Sequence, residues 1–398
     1  MKQNLSIKSW WGAPRKFTTE KEERKISWLE LFYDLVYVIA ISTVTHYVAE
    51  DFKTDTVLDY FYLFSIIFWG WLNGSLYHDL HGTEGLRTKL MTLWQMAIVA
   101  ALVITLHSDE KDLLFNATIV LLIMQVYITY IWWSVGFYDK AHRRLNLPYT
   151  FLYLISFGLI FSTLFLEQPY MRIIYYISLV LNYIPPFISN VLLKNKSMEL
   201  NLSSSMMERL GLFTIIIFGE VVLGLINGII GFHHLSLEIW IEFILAICIV
   251  FMLWWLFFTM ISDKECKNGF VISSLFEILF IPTLMGLGLL AASFSVLFRN
   301  FSKPEISMAW SLPCYRFSIG LFILGICAMM GFIKYSAEVN WFKNRARLSL
   351  FITGVLLMIF AFLPIEIPLL YQLLIVLLLI VTVILYLNDI WYRRLRIK

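Results

Sequence analysis

Glu30 and Asp34 stand four residues apart inside Ser27–Val48, a stretch otherwise long and apolar enough to cross a bilayer. A carboxylate at the centre of a membrane helix costs about 2.5–3.5 kcal/mol, whereas each Leu, Ile, Val or Phe returns only about 0.3–0.6 kcal/mol. At i, i+4 both acids leave one face of a helix, so that face must look into protein or water. Two acids so placed can bind and release a proton or hold a cation; the alternative is a structural ion pair with a neighbouring helix. Glu220 and Glu277 are further intramembrane acids. Glu220 lies ten residues past Leu210, the start of its span, and so about 15 Å deep, near the bilayer middle.

A counter-charge is available. Glu208 and Arg209 sit at the mouth of the span that carries Glu220. Arg209 is placed to pair with Glu30 or Asp34 if the two spans face each other; otherwise the Glu-Arg pair simply snorkels at the interface. Gly224 and Gly228 form a GxxxG, which predicts close helix packing, with the first span as the expected neighbour. Pro185–Pro186 predicts a kink that frees backbone carbonyls, and Asn182 and Asn190 beside it leave open an unwound ion-binding segment. His78, His81 and the His233–His234 pair fall on opposite sides of the expected topology and read as isolated loop histidines. The four cysteines lack metal-ligand spacing, so neither a metal nor a cofactor is expected. No nucleotide-binding, hydrolase or metalloprotease motif occurs.

The elements that must position these residues are membrane helices. The chain is 60% hydrophobic with a mean hydropathy of +0.76, far too apolar to be covered by its 15% of charged residues in water. A net charge of only +3 gives no reason to expect nucleic acid as a partner; the lipid bilayer is the expected one. Runs of about 20 apolar residues predict an all-α integral membrane fold of about twelve helices. The predicted spans are 28–48, 60–76, 89–106, 113–134, 149–166, 172–193, 210–230, 237–261, 271–298, 312–333, 348–363 and 368–387. Across these, 25 Lys and Arg fall on one side and five on the other, which places both termini in the cytoplasm. Leu29–Phe32 and Leu210–Phe213 open their spans with similar letters at an offset of 181 residues, which aligns three successive spans. Two parallel six-helix repeats are therefore expected: a tail 1–27, a first half 28–193, a linker 194–209, a second half 210–387 and a basic tail 388–398.

SWLELFYDLVYVIA (Ser27 to Ala40) and ERLGLFTIIIFGE (Glu208 to Glu220) resemble the two hallmark segments of the low temperature requirement protein A family. Trp69, Trp71, Asn73, Gln95–Met96, Trp254–Trp255, Pro282 and Gly286 are similar as well. The resemblance implies a bacterial multi-pass protein of the cell membrane, and it implies no molecular activity. The chain departs from the family pattern in reading His81–Gly82–Thr83–Glu84–Gly85 where an acidic loop is usual. It also has Ser205 and Phe280 where histidines are common. The reading of the residues is a proton- or cation-linked transporter of unknown substrate, with Glu30, Asp34, Glu220 and Glu277 as ion-binding candidates and Arg209 and Glu208 as counter-charge. Its rivals are a membrane enzyme acting on a lipid or isoprenoid through the same acids, and an envelope scaffold in which the charges only lock helices together.

Overall fold

The computed structural model describes residues 14–15, 25–51, 53–83, 85–107, 110–140, 143–167, 169–193, 201–230, 235–262, 264–299, 308–335, 339–364 and 367–395. Among them the chain is helical, in the order α1 (Trp28–Glu50), α2 (Thr54–His81), α3 (Leu86–Thr105), α4 (Glu110–Tyr138) and α5 (Arg143–Ser162). Then follow α6 (Tyr170–Tyr183), α7 (Pro185–Leu193), α8 (Ser204–Ile229), α9 (Leu237–Met260), α10 (Phe270–Arg299), α11 (Met308–Met329), α12 (Asn340–Phe362) and α13 (Leu369–Leu395). This is an all-α, multi-pass membrane architecture. The predicted sixth span is broken at Ile184 into α6 and α7, because Pro185 and Pro186 cannot donate to the preceding turn.

Eleven segments among the described residues are long and apolar enough to cross a membrane, against the twelve expected. The difference is α2. Its 28 residues are ample for a crossing, but they include Tyr60, Tyr62, Trp69, Trp71, Asn73, Ser75 and His78, all buried in protein. Every residue from Phe64 to Ser75 is buried. A helix buried along most of its length offers little surface to lipid, so it does not need the hydropathy of one that does.

The helices pack into two compact units. One comprises Met1–Val44, Leu58–Arg209 and Asn268–Ser274; the other comprises Thr45–Val57, Leu210–Lys267 and Leu275–Lys398. In the first, α4 lies against α5, and α5 against α6 and α7. In the second, α11 packs on α12 and α9 on α13. The GxxxG face of α8 meets α10 there, where the sequence led one to expect the first span. A Cβ on Gly224 would collide with the carbonyl of Ala291, and one on Gly228 would lie 2.6 Å from Cβ of Phe298. Small residues let two backbones approach, and which backbone arrives is not written in the motif.

Candidate functional site

The site begins with how α1 starts. Ser27 precedes the helix, and its hydroxyl accepts from the Glu30 N–H at 3.3 Å. Oε2 of Glu30 in turn accepts from the Ser27 N–H and hydroxyl, each at 2.9 Å. This is a capping box, in which the third helical residue satisfies the donors that open the helix. The Ser27-x-x-Glu30 spacing was legible in the sequence, and a reading of Glu30 only as an intramembrane charge passes over it. One carboxylate oxygen is thus committed to α1 itself.

One turn further on, Asp34 receives three donors. Trp71 Nε1 on α2 donates to Oδ1 at 2.7 Å. Arg209 on α8 donates from Nε to Oδ2 at 3.2 Å and from Nη2 to Oδ1 at 2.5 Å, a two-pronged pairing of guanidinium with carboxylate. The third guanidinium nitrogen, Nη1, stands 3.6 Å from Oε1 of Glu30 and has no hydrogen-bond acceptor. Glu30, Asp34 and Arg209 are each at most 1% exposed. Of the two readings of Arg209, pairing with Glu30 or Asp34 and snorkelling at the interface, the structure has the pairing. α8 begins at Ser204, six residues before the expected Leu210, so Arg209 lies inside the helix and fully buried.

Aromatic and amide groups close around the three charges. The guanidinium carbon lies 5.7 Å from the ring centroids of both Tyr33 and Trp71, within reach of their negative faces. The Tyr33 hydroxyl donates to the carbonyls of Gly70 and Trp71, and Gln95 Nε2 donates to the Tyr37 hydroxyl and the Gly70 carbonyl. Gly74 makes the space. A Cβ there would collide with the Tyr33 hydroxyl and stand 2.5 Å from Gln95 Oε1.

Deeper in the same unit lies a second polar network, and it carries no charge. Asn73 Oδ1 accepts from Trp132 Nε1 and from the Tyr153 hydroxyl, both at 2.8 Å, while its Nδ2 donates to the Trp69 carbonyl. Gln125 and Asn182 exchange amide hydrogen bonds at 2.9 and 3.0 Å. Trp69 Nε1 donates to the Asn182 carbonyl. The amide of Asn182 is therefore spent on Gln125, and the helix break beside it is a kink whose neighbouring groups are satisfied by protein.

The remaining candidates lie elsewhere. Glu208 is exposed, on the other side of α8 from the face that turns Arg209 inward. Glu220 on α8 is half-buried and Glu277 on α10 is buried, both in the second unit, whereas Glu30, Asp34 and Arg209 belong to the first. His78 and His81 are not loop residues: both close the last turn of α2 and are buried. His78 Nε2 bonds the Thr92 hydroxyl at 2.8 Å and His81 Nδ1 the Arg15 carbonyl at 2.8 Å. His233 and His234 lie outside the described residues. Among the described residues no three His, Cys, Asp or Glu side chains gather as a metal site would require. Among the described residues two buried acids escaped the sequence reading: Asp139, just past the end of α4, and Glu242 on α9, 2% exposed. For Glu242 the signal was there, because Glu238 and Glu242 repeat the i, i+4 spacing of Glu30 and Asp34.

The chain matches the bacterial low temperature requirement A proteins (LtrA) over residues 25–387, nearly its whole length, and it belongs to that family. It is 28% identical over 253 residues to the uncharacterized protein RA0937 of Rhizobium meliloti (strain 1021). That alignment takes in 60% of this chain and 59% of the relative. No solved structure matches the chain. Several family-like positions noted in the sequence now have a physical role. Trp71 and Gln95 line the charged cluster, and Trp69 and Asn73 build the neutral network beside it.

Proposed function

We propose that this protein is a secondary transporter in which Glu30, Asp34 and Arg209 form a proton- or cation-exchange site. The observation that carries the reading is the charge count of the cluster. Two carboxylates and one guanidinium, all shielded from solvent, sum among themselves to a formal charge of −1, in surroundings where buried charge is expensive. A bound proton or monovalent cation restores neutrality. The two acids are not equivalent. Asp34 is held by three donors, whereas Glu30 approaches Arg209 at 3.6 Å. Glu30 is therefore the group assigned to exchange, and Asp34 the anchor that keeps the guanidinium in place. Glu220, half-buried in the other unit, is retained as a second ion-handling candidate, and the substrate is left open.

The reading takes both termini as cytoplasmic and the halves as parallel repeats. A single cysteine at Lys140 is then labelled only from the cytoplasm and one at Ser236 only from outside; the reverse pattern removes this topology. For activity, the protein is reconstituted in liposomes, with proton and alkali-cation flux read by internal dyes and turnover of a labelled lipid extract read in parallel. Flux in the parent that is abolished in Glu30→Gln supports the proposal, because glutamine keeps the capping box and removes the exchangeable charge. Lipid turnover without flux transfers the same acids to an enzyme. Neither activity, with full complementation by Glu30→Gln in cells, leaves a scaffold.

A further inference from the structure

We propose that Glu242 and Gln372 form a second site, for a monovalent cation, in the unit that does not contain Arg209. It rests on none of the residues assigned above. α9 packs against α13, and the Glu242 carboxylate lies near the backbone N–H of Leu370 in the first turn of α13. An acid is well placed at such a helix start. Glu242 Oε2 is buried with no donor. In the same turn, Gln372 is fully buried and donates from Nε2 to the Ile367 carbonyl at 2.6 Å, so its Oε1 points the other way, also buried and without a donor. Two orphaned acceptor oxygens at one helix turn want a positive partner.

The chemistry of the donors narrows that partner. Both ligands are hard oxygens, which suit alkali and alkaline-earth ions over soft transition metals. One carboxylate and one neutral amide carry a single negative charge, so a monovalent ion is balanced and a divalent ion would leave a buried positive charge. Glu238, one helical turn toward the start of α9 and exposed, lies on the same face as Glu242. A cap alone explains neither Oε2 nor the orientation of Gln372.

The test uses the full-length protein in detergent at fixed pH and ionic strength, with thermal unfolding followed in sodium, potassium, lithium or choline chloride. A ligand that binds the folded state alone raises the midpoint with concentration. The midpoint is expected to rise in at least one alkali salt over choline, and to lose that rise in Glu242→Gln. In Gln372→Leu the same shift is expected only at roughly tenfold higher salt, and in Glu30→Gln the part of the rise that depends on Glu242 is expected to remain. Equal midpoints in all four salts for the parent overturn the proposal. So does a shift that survives Glu242→Gln and disappears in Glu30→Gln, which would seat the ion at the Arg209 cluster instead.

Discussion

Around Asn73 and Asn182 the first unit buries amides, indole N–H groups and a phenol; around Asp34, within the same bundle, it buries formal charges. In the amide network donors and acceptors are matched. Gln125 and Asn182 satisfy each other, and both hydrogen bonds to Asn73 Oδ1 come from neutral groups. Nothing there changes if a proton or ion arrives. In the charged cluster two carboxylates face one guanidinium, and one guanidinium nitrogen lacks an acceptor. A closed neutral network fixes helices in place, whereas an unbalanced charged one responds to what binds. Burial and hydrogen-bond counts alone would have ranked the two regions alike; net charge separates them.

The comparison is most sharply broken at Arg209. Arg209→Ala removes the cation that grips the buried Asp34, at a cost of about 3–5 kcal/mol, and is expected to collapse folded yield and thermal midpoint. Arg209→Glu combined with Asp34→Arg restores the opposite charges and is expected to recover part of the yield. An unchanged midpoint in Arg209→Ala would mean that α1 and α8 do not meet through this pair.

In the neutral network, Asn182→Leu strands the Gln125 amide and is expected to cost about 1–3 kcal/mol. Gln125→Leu with Asn182→Leu removes both partners and should be the milder of the two, with transport unaffected in either. Equal losses of stability in single and double variants would show that the reciprocal bond contributes little.

Glu220→Gln is expected to fold as well as the parent, since no desolvated charge is introduced and the amide hydrogen-bonds in its place. If Glu220 handles ions, flux and growth in the cold are nonetheless lost. Good yield with full complementation at low temperature would reduce Glu220 to a structural group.

The smallest expected effect lies outside the spans, at Cys266 in the connection between α9 and α10. Burial, with the charge of Glu277 adding to it, pushes this thiol up to about 11. Thiolate is therefore scarce at neutral pH, and alkylation followed by mass spectrometry should be slow at pH 7 and speed up steadily as pH approaches that value. Glu277→Gln removes a repulsion and should raise the rate at any fixed pH; a slower rate would mean that the two groups do not interact.

Much of this architecture was legible along the chain. Apolar runs located the crossings, because a bilayer demands about 20 such residues per helix whatever surrounds them. The proline pair located the break at Ile184 for an equally local reason. The i, i+4 acids announced a polar face on α1, and Arg209 was a plausible partner at 175 residues' distance. What escaped was whatever depends on neighbours. α2 reads as an ordinary span and is in fact enclosed by protein; His78 and His81 read as loop residues and are seated in its last turn.

The sequence by itself determined that this is a helical membrane protein of the LtrA family and that its first span carries a paired acidic face. The membrane-helix class and the acidic face follow from composition and from periodicity within one helix, and the family from the two hallmark segments; none of these depends on packing. Only the tertiary structure decided that Asp34 takes the two-pronged grip of Arg209 while Glu30 turns back to cap its own helix. It likewise decided that Gly224 and Gly228 receive α10, and that Glu242 Oε2 and Gln372 Oε1 are buried without a donor. Those outcomes rest on which side chain lies within about 3 Å of which, a distance that hydrogen bonds enforce and a linear spacing cannot express.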